Sequence, residues 1–417
     1  MAKFFDRLEG RTQQERKRKQ DFYLYKMVQL GYRKSPAFKK ILDSHKIKPA
    51  SIKSRDDMEK IPVTSREKLV EMEMHKPPYA GLENPAKKID RIFTSPGPVY
   101  EPHLSESDVL WARAFFAAGI GHKDIALNAF SYHLVAAGLT FHNGLRKVGA
   151  TVVPSGASSS QIQVQLIKDL KVTAYVGTPS FLMSIIDKSK EAGFSFKKDF
   201  RVKKACFAAE PLLPALRQTF EKEYDIDTYQ MYGATEVGDV AYECSRKNGW
   251  HICEETIVEI VDPTTGKNVP AGELGEVVVT RINDIFFLLR FGTGDLSRLI
   301  AEKCSCGRTS HRLAGIAGRV GDAVKVRGLF LAPSQLKMMQ AKFDNLPLQA
   351  VVQRKGYQDV LKLRVEKISP EVGTDQWRSR FEKTFKDICT VKIDVLEYVE
   401  TGAVRPEEKL LLDERQN

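Results

Sequence analysis

No apolar run in this 417-residue chain approaches the roughly 18 residues that a membrane-spanning helix requires, because polar or charged side chains interrupt each one early. The opening segment MAKFFDRLEGRTQQERKRKQ carries charge throughout and has no apolar stretch ahead of a small-residue cleavage site, so it does not read as a secretory leader. Internal repeats and low-complexity tracts are missing too, which excludes stacked-repeat architectures. These absences point to the cytoplasm. Cysteine is sparse, with 6 residues, and in that compartment such cysteines serve as thiols or metal ligands rather than disulfides. What is present is a 42% hydrophobic, 9% aromatic composition over a length that supports two or three folded units.

The net charge of +12 permits an interaction with nucleic acid or an anionic membrane surface. The basic residues are nevertheless scattered. Their one dense run, 16–19, lies in QQERKRKQDFYLYKMVQLGY, where apolar residues recur at helical spacing, so a solvated helix face accounts for it. Neither nucleic acid nor membrane is therefore expected as a partner. A positive field equally favours the capture of small polyanions.

Between 123 and 231 short β-rich segments (DIALNAF, ATVVPS, VTAYVG, KKACFA, DTYQMY) alternate with helical ones such as SQIQVQLIKDL and PSFLMSIIDKSKEAG. That rhythm predicts a parallel sheet covered by helices, with ligands beyond the carboxyl ends of the strands. After 236 the text becomes strand-rich: HICEETIVEIVD, a turn at PTTGK, GELGEVVVTRIN and FFLLRFGTGD read as antiparallel hairpins. From about 320 the strands AVVQRK, VLKLRVE and VKIDVLEY mix with the helices PSQLKMMQAKF and DQWRSRFEKTFKD. The tail reads as a small α+β unit, with glycines 315, 318 and 321 as a hinge.

Three signatures follow in order: YGATE at 232–236, RFGTGDLSRL at 290–299 and GRVGDAVKVRG at 318–328. Taken singly, a Tyr-Gly pair after a strand or a TGD triplet is an ordinary turn. As an ordered set, with AAEPL at 208–212, they resemble the adenylate-forming acyl-CoA synthetases, and among them the phenylacetate-CoA ligase branch, from about residue 60 onward. The resemblance implies an α/β chain: a large N-terminal AMP-binding domain, 1–317, of parallel sheets covered by helices plus a β-rich subdomain, and a small mobile α+β lid, 318–417. It implies a carboxylic acid, ATP with Mg2+, and coenzyme A as partners, AMP and pyrophosphate as products, and a monomer or homodimer.

By the same resemblance Glu236 holds magnesium, Thr235 touches the α-phosphate, and Tyr232 with Gly233 lies against the adenine. Ala209, Glu210 and Pro211 form a nucleoside-contacting turn. Asp295 accepts both ribose hydroxyls and Arg319 joins it there. Lys325 and Gly328 bind cofactor, Gly328 lining the pantetheine tunnel, while Gly321, flanked by Asp322, takes the pivot position. Two motifs depart from the family. The phosphate loop reads FTSPGPVYEP at 93–102, where Thr94, Ser95 and Gly97 remain to bind phosphate, Pro96 and Pro98 lack N–H groups, and no lysine follows. Near the C-terminus Lys409 is the nearest match for the lysine that bridges carboxylate and α-phosphate, but it follows Glu408 in place of glycine. A non-catalytic nucleotide- or acyl-binding protein with a degenerate phosphate loop is the alternative reading.

FSYHLVAAGLTFHNG at 130–144 offers Tyr132, His133 and Phe141 for the wall of an aromatic acid pocket, with core packing as the competing role for the phenylalanines. Cys244 and His251, close to Cys253, could complete a structural zinc site with Cys304 and Cys306 of CxCGR, against partly buried thiols as the alternative.

Overall fold

The computed structural model describes residues 3–95, 99–103, 110–327, 329–355, 358–405 and 408–415. The chain divides into two units: Met1–Glu259 with Val278–Thr293 and Ile300–Ala314, and Ile260–Val277 with Gly294–Leu299 and Gly315–Asn417.

In the first unit the predicted alternation becomes a sheet. Its strands are β1 (Ile125–Asn128), β2 (Thr151–Val153), β3 (Ala174–Gly177), β4 (Lys204–Phe207), β5 (Asp227–Ala234), β6 (Gly238–Glu243), β7 (Trp250–Ile252) and β8 (Arg312–Leu313). Among the described residues they lie in the order β8-β7-β6-β5-β4-β3-β1-β2. The run from β5 to β2 is parallel, and β6, β7 and β8 continue it antiparallel. Both faces are covered, which is why these strands read as unbroken apolar runs. Ala174, Val176 and Cys206 face a core with Trp111, Phe115, Phe141 and Leu145, while Tyr175, Ala205 and Phe207 face another with Leu182, Ile185 and Phe220. The strand period of two assigns neighbours to opposite layers. Each large side chain so buried contributes about 1.5–3 kcal/mol.

Helices start where a cap follows a strand. After β3, Thr178 accepts from the Phe181 N–H and Pro179 opens the helix Pro179–Glu191; Ser159 caps Ser160–Asp169 in the same manner. Among the described residues no helix is long and apolar enough to cross a membrane.

In the second unit a sheet orders Val395–Val399, Gln358–Glu366, Leu348–Lys355 and Leu411–Asp413 side by side. Helices Pro333–Lys342 and Asp375–Cys389 pack with it around Leu336, Met339, Phe381 and Phe385. Trp377 and Phe381, one helical turn apart, stack at 4.6 Å.

Three segments depart from the sequence reading. The stretch 251–262 is not one strand: Thr256 N–H bonds back to Cys253 O in a turn, which separates β7, ending at Ile252, from a new strand, Thr256–Val261. Residues 286–290 are not a strand. The Asn283 side chain accepts from the N–H groups of Ile285 and Phe286, and the left-handed Arg290 (φ 48°) precedes the strand Phe291–Ser297. The strand expected over 391–398 starts only at Val395, because the Asp394 carboxylate takes the Leu361 N–H that ladder pairing would have used.

Candidate functional site

YGATE forms the tip of a β-hairpin. Strand β5 carries Tyr232, Gly233 and Ala234, a turn holds Thr235 and Glu236, and Gly238, at φ 77°, starts the return strand β6. A bulge between Tyr232 and Gly233 re-aims the tip. At Gly233 the backbones approach so closely that an added Cβ would lie 2.5 Å from Gly238 O and 3.2 Å from Asp239 Cα. Behind the tip, Asp239 and Arg281 form a buried ion pair of 2.9 Å. Tyr232 lies beside Trp250, with ring centroids 5.8 Å apart.

The phosphate-loop segment is a second hairpin. Ile92–Ser95 pairs antiparallel with Val99–Pro102, Thr94 opposite Tyr100 and Ser95 opposite Val99. Gly97 lies outside the described residues. Three residues that no motif marks meet here: Glu101 on the second strand of the hairpin, with Glu73 and Arg66 beside it. Ser65 caps the helix Arg66–His75, and that helix carries both Arg66 and Glu73 to the loop. Arg66 Nη1 lies 2.9 Å from Glu236 Oε1, and its Nη2 donates to Ser95 Oγ at 3.3 Å. Ser95 Oγ donates to Glu101 Oε1 at 2.5 Å, and Tyr100 N–H donates to Glu73 Oε2 at 2.8 Å. All three glutamates are buried. Burial pushes the Glu101 carboxyl up to about 8 and the Glu73 carboxyl up to about 7, with the Glu236 charge adding to both. Near neutrality Glu101 therefore keeps its proton. Nothing in the local text marks these partners, because their meaning arises only where helix, loop and turn meet.

Beside the YGATE tip is a cavity of about 200 Å³ lined by Phe93, His103, Trp111, Phe130, Thr140 and Phe141, with Ala208, Ala209 and residues 233–239 closing it. Phe141 takes part in both cavity and core, its ring 4.7 Å from Trp111 and 4.9 Å from Phe130. Tyr132 and His133 are not among the lining residues. The Tyr132 hydroxyl lies 2.9 Å from Asn128 Nδ2 and 3.1 Å from His142 Nδ1, and His133 is exposed. Ala209 sits at φ 68°; the next residue, Glu210, accepts from Ser180 Oγ at 2.9 Å, and Pro211 is exposed.

In the second unit Asp295 and Arg319 face each other across an antiparallel pair, with Oδ1 and Nη1 2.7 Å apart. Gly294, at φ 71°, leaves room for that guanidinium, since a Cβ there would lie 2.9 Å from Arg319 Nη2. Gly321, in the short turn Val320–Asp322, has open space around it. Lys409 is exposed and lines a groove of about 400 Å³ with Lys362 and Arg364 on the open face of the four-stranded sheet. Gly328 and the Lys325 side chain lie outside the described residues.

The four proposed metal ligands do converge in the first unit. One donor atom each from Cys244, His251, Cys304 and Cys306 lies within 4.8 Å of the others. Two zinc–sulfur bonds of about 2.3 Å at a tetrahedral angle hold their sulfurs about 3.8 Å apart; Cys244 Sγ and Cys304 Sγ are 3.8 Å apart. His251 Nε2 is 3.3 Å from Cys306 Sγ, while Nδ1 lies 3.3 Å from Ser310 Oγ, which fixes the ring from behind. Hydrogen bonding to Cys244 and His251 holds the Cys306 thiol below its ordinary range, while the same pairing pushes the Cys244 thiol up. Cys253 is buried elsewhere, in the core beneath Trp111.

The family model described as AMP-binding enzyme matches residues 104–283. The chain is 30% identical over 374 residues to the phenylacetate-coenzyme A ligase of Thermus thermophilus, covering 85% of this chain and 83% of that protein. It is 31% identical over 377 residues to the phenylacetate-coenzyme A ligase of Aromatoleum evansii, covering 87% and 83%. An open conformation of 2-hydroxyisobutyryl-CoA ligase in complex with 2-HIB-AMP and CoA superposes with a TM-score of 0.82 at 22% identity, over 98% of this chain and 93% of that one. This last likeness bears on the fold, and it agrees with the α/β class expected from the sequence.

Proposed function

The chain belongs to the AMP-binding enzymes and, within them, to the phenylacetate-CoA ligase branch, and we propose that it activates an aryl or arylacetic acid with ATP and passes the acyl group to coenzyme A. The reaction class is ATP-dependent acid–thiol ligation through an acyl-adenylate. An acid oxygen attacks the α-phosphorus and pyrophosphate leaves; the thiol then attacks the acyl carbon and AMP leaves.

What supports the aryl specificity is one observation: the YGATE tip lines the same cavity as Phe93, Trp111, Phe130 and Phe141. A flat acid held between these rings directs its carboxylate toward Thr235. Aromatic walls suit aromatic substrates through offset and edge contacts. Thr235 orients the α-phosphate, and the Thr94–Ser95 strand end meets the outer phosphates. Glu236 is the residue that would hold magnesium, its buried carboxylate already facing a cation. When bound, the metal neutralises triphosphate charge. In this reading Tyr232, Gly233 and the turn at Ala209, Glu210 and Pro211 hold the adenosine, Asp295 with Arg319 holds the ribose, and Lys409 supplies charge to the adenylation step. Segment 318–417 acts as a lid on 1–317, turning at Gly321, with Lys325 and Gly328 beside the CoA thiol in the second step. The Cys244, His251, Cys304 and Cys306 cluster holds a structural zinc ion that staples the loop 304–306 to strand β7.

Exchange of labelled pyrophosphate into ATP, run across a panel of aryl, arylacetic and short-chain acids, tests this function. Exchange with at least one aryl acid, and thioester formation on adding CoA, is the expected result. No exchange with any acid overturns it.

A further inference from the structure

We propose that Arg66 grips the triphosphate of ATP in place of the phosphate-loop lysine that this chain lacks. The inference rests on the ATP-binding reading above. The loop 93–102 contains no lysine or arginine, and three of its residues are prolines, so it presents fewer N–H donors than a glycine-rich loop would. The cation comes from outside it. Arg66 opens a ten-residue helix capped by Ser65, and its guanidinium reaches both Ser95 of the loop (3.3 Å) and Glu236 (2.9 Å). One side chain thus joins the loop to the proposed magnesium ligand.

The guanidinium suits the task better than an ammonium would here. It has five N–H donors in one plane and can hold a carboxylate along one edge while presenting another to phosphate oxygens. Its side chain is 33% exposed, against 2% for Glu236, so an incoming polyanion reaches the arginine without opening the core. Of the two neighbouring glutamates, Glu101 accepts from the Ser95 hydroxyl and Glu73 from the Tyr100 N–H.

The decisive measurement is the binding of ATP against AMP by calorimetry, since AMP lacks the outer phosphates, with Arg66→Ala, Arg66→Lys and the unaltered chain compared. Arg66→Ala is expected to weaken ATP about 10- to 100-fold, the range for losing charge-assisted hydrogen bonds, and to leave AMP within about twofold. Arg66→Lys is expected to fall between, retaining charge but not the fork. In the exchange assay the KM for ATP should rise while the KM for the acid stays constant. Equal weakening of ATP and AMP, or no change in either, would overturn the proposal, because it would make Arg66 a prop for Glu236 or a bystander. If the unaltered chain exchanges pyrophosphate with no acid, the ligase reading fails, and the ATP-to-AMP comparison still decides the role of Arg66.

Discussion

Replacing Glu101 by glutamine should make the protein more stable at alkaline pH, and the size of the effect follows from where the carboxyl sits. Glu101 is 2% exposed and burial pushes it up to about 8 from 4.5. Below about pH 4.5 both folded and unfolded chains hold this proton and the group leaves the equilibrium unaffected. Above that, the unfolded chain releases the proton while the folded chain retains it, so folding loses about 1.4 kcal/mol per pH unit until the folded carboxyl itself ionises near 8. The loss amounts to about 3 kcal/mol at pH 7. Glutamine has nearly the shape of the protonated acid and its amide oxygen still accepts the Ser95 hydroxyl, so Glu101→Gln removes the titration while keeping the contact. Thermal unfolding of both proteins between pH 4.5 and 8.5 tests this. The two curves should nearly meet at the acid end and separate in favour of the variant as pH rises. Parallel curves would refute the reasoning. Glu73, pushed up to about 7, has the same sign and a smaller effect, so the variant keeps a residual slope that Glu73→Gln should flatten.

Metal analysis of the purified chain should find one zinc per molecule, lost in Cys306→Ser but kept in Cys206→Ser, whose thiol is buried in the sheet core. Gly233→Ala, which drives a Cβ to 2.5 Å from Gly238 O, should cost about 1–3 kcal/mol in unfolding experiments and depress pyrophosphate exchange more than stability, since it displaces the tip. Phe141→Ala should shift the ratio of kcat/KM toward bulkier aryl acids by about tenfold or more, measured over the acid panel. Asp295→Ala should raise the KM for ATP and weaken AMP together, by about tenfold or more, whereas Arg66→Ala is expected to spare AMP.

Much of the fold was legible in the chain. The five parallel strands β1 to β5 stood out because burial on both faces writes continuous apolar runs into them, and Thr178 and Ser159 marked the helices that follow. The strand boundaries that failed, at 253–255, 286–290 and 391–394, failed because local hydrogen bonds to Cys253, Asn283 and Asp394 outrank a β-rich composition. The grouping of Cys244 and His251 with Cys304 and Cys306 was legible from residue type, and their donor atoms converge although the two segments are far apart in the chain.

By itself the amino-acid order determined the architecture through local periodicity and the reaction class through motifs that resemble those of a known family, and it nominated Glu236, Thr235 and Asp295. Tertiary structure alone decided which cation serves the phosphate loop, which rings wall the acid cavity and which carboxyls keep their protons at neutral pH. Arg66, Trp111 and Glu101 are ordinary letters in the text. They acquire function from burial and from neighbours far away in sequence, and distance in space is the quantity that a linear pattern does not encode.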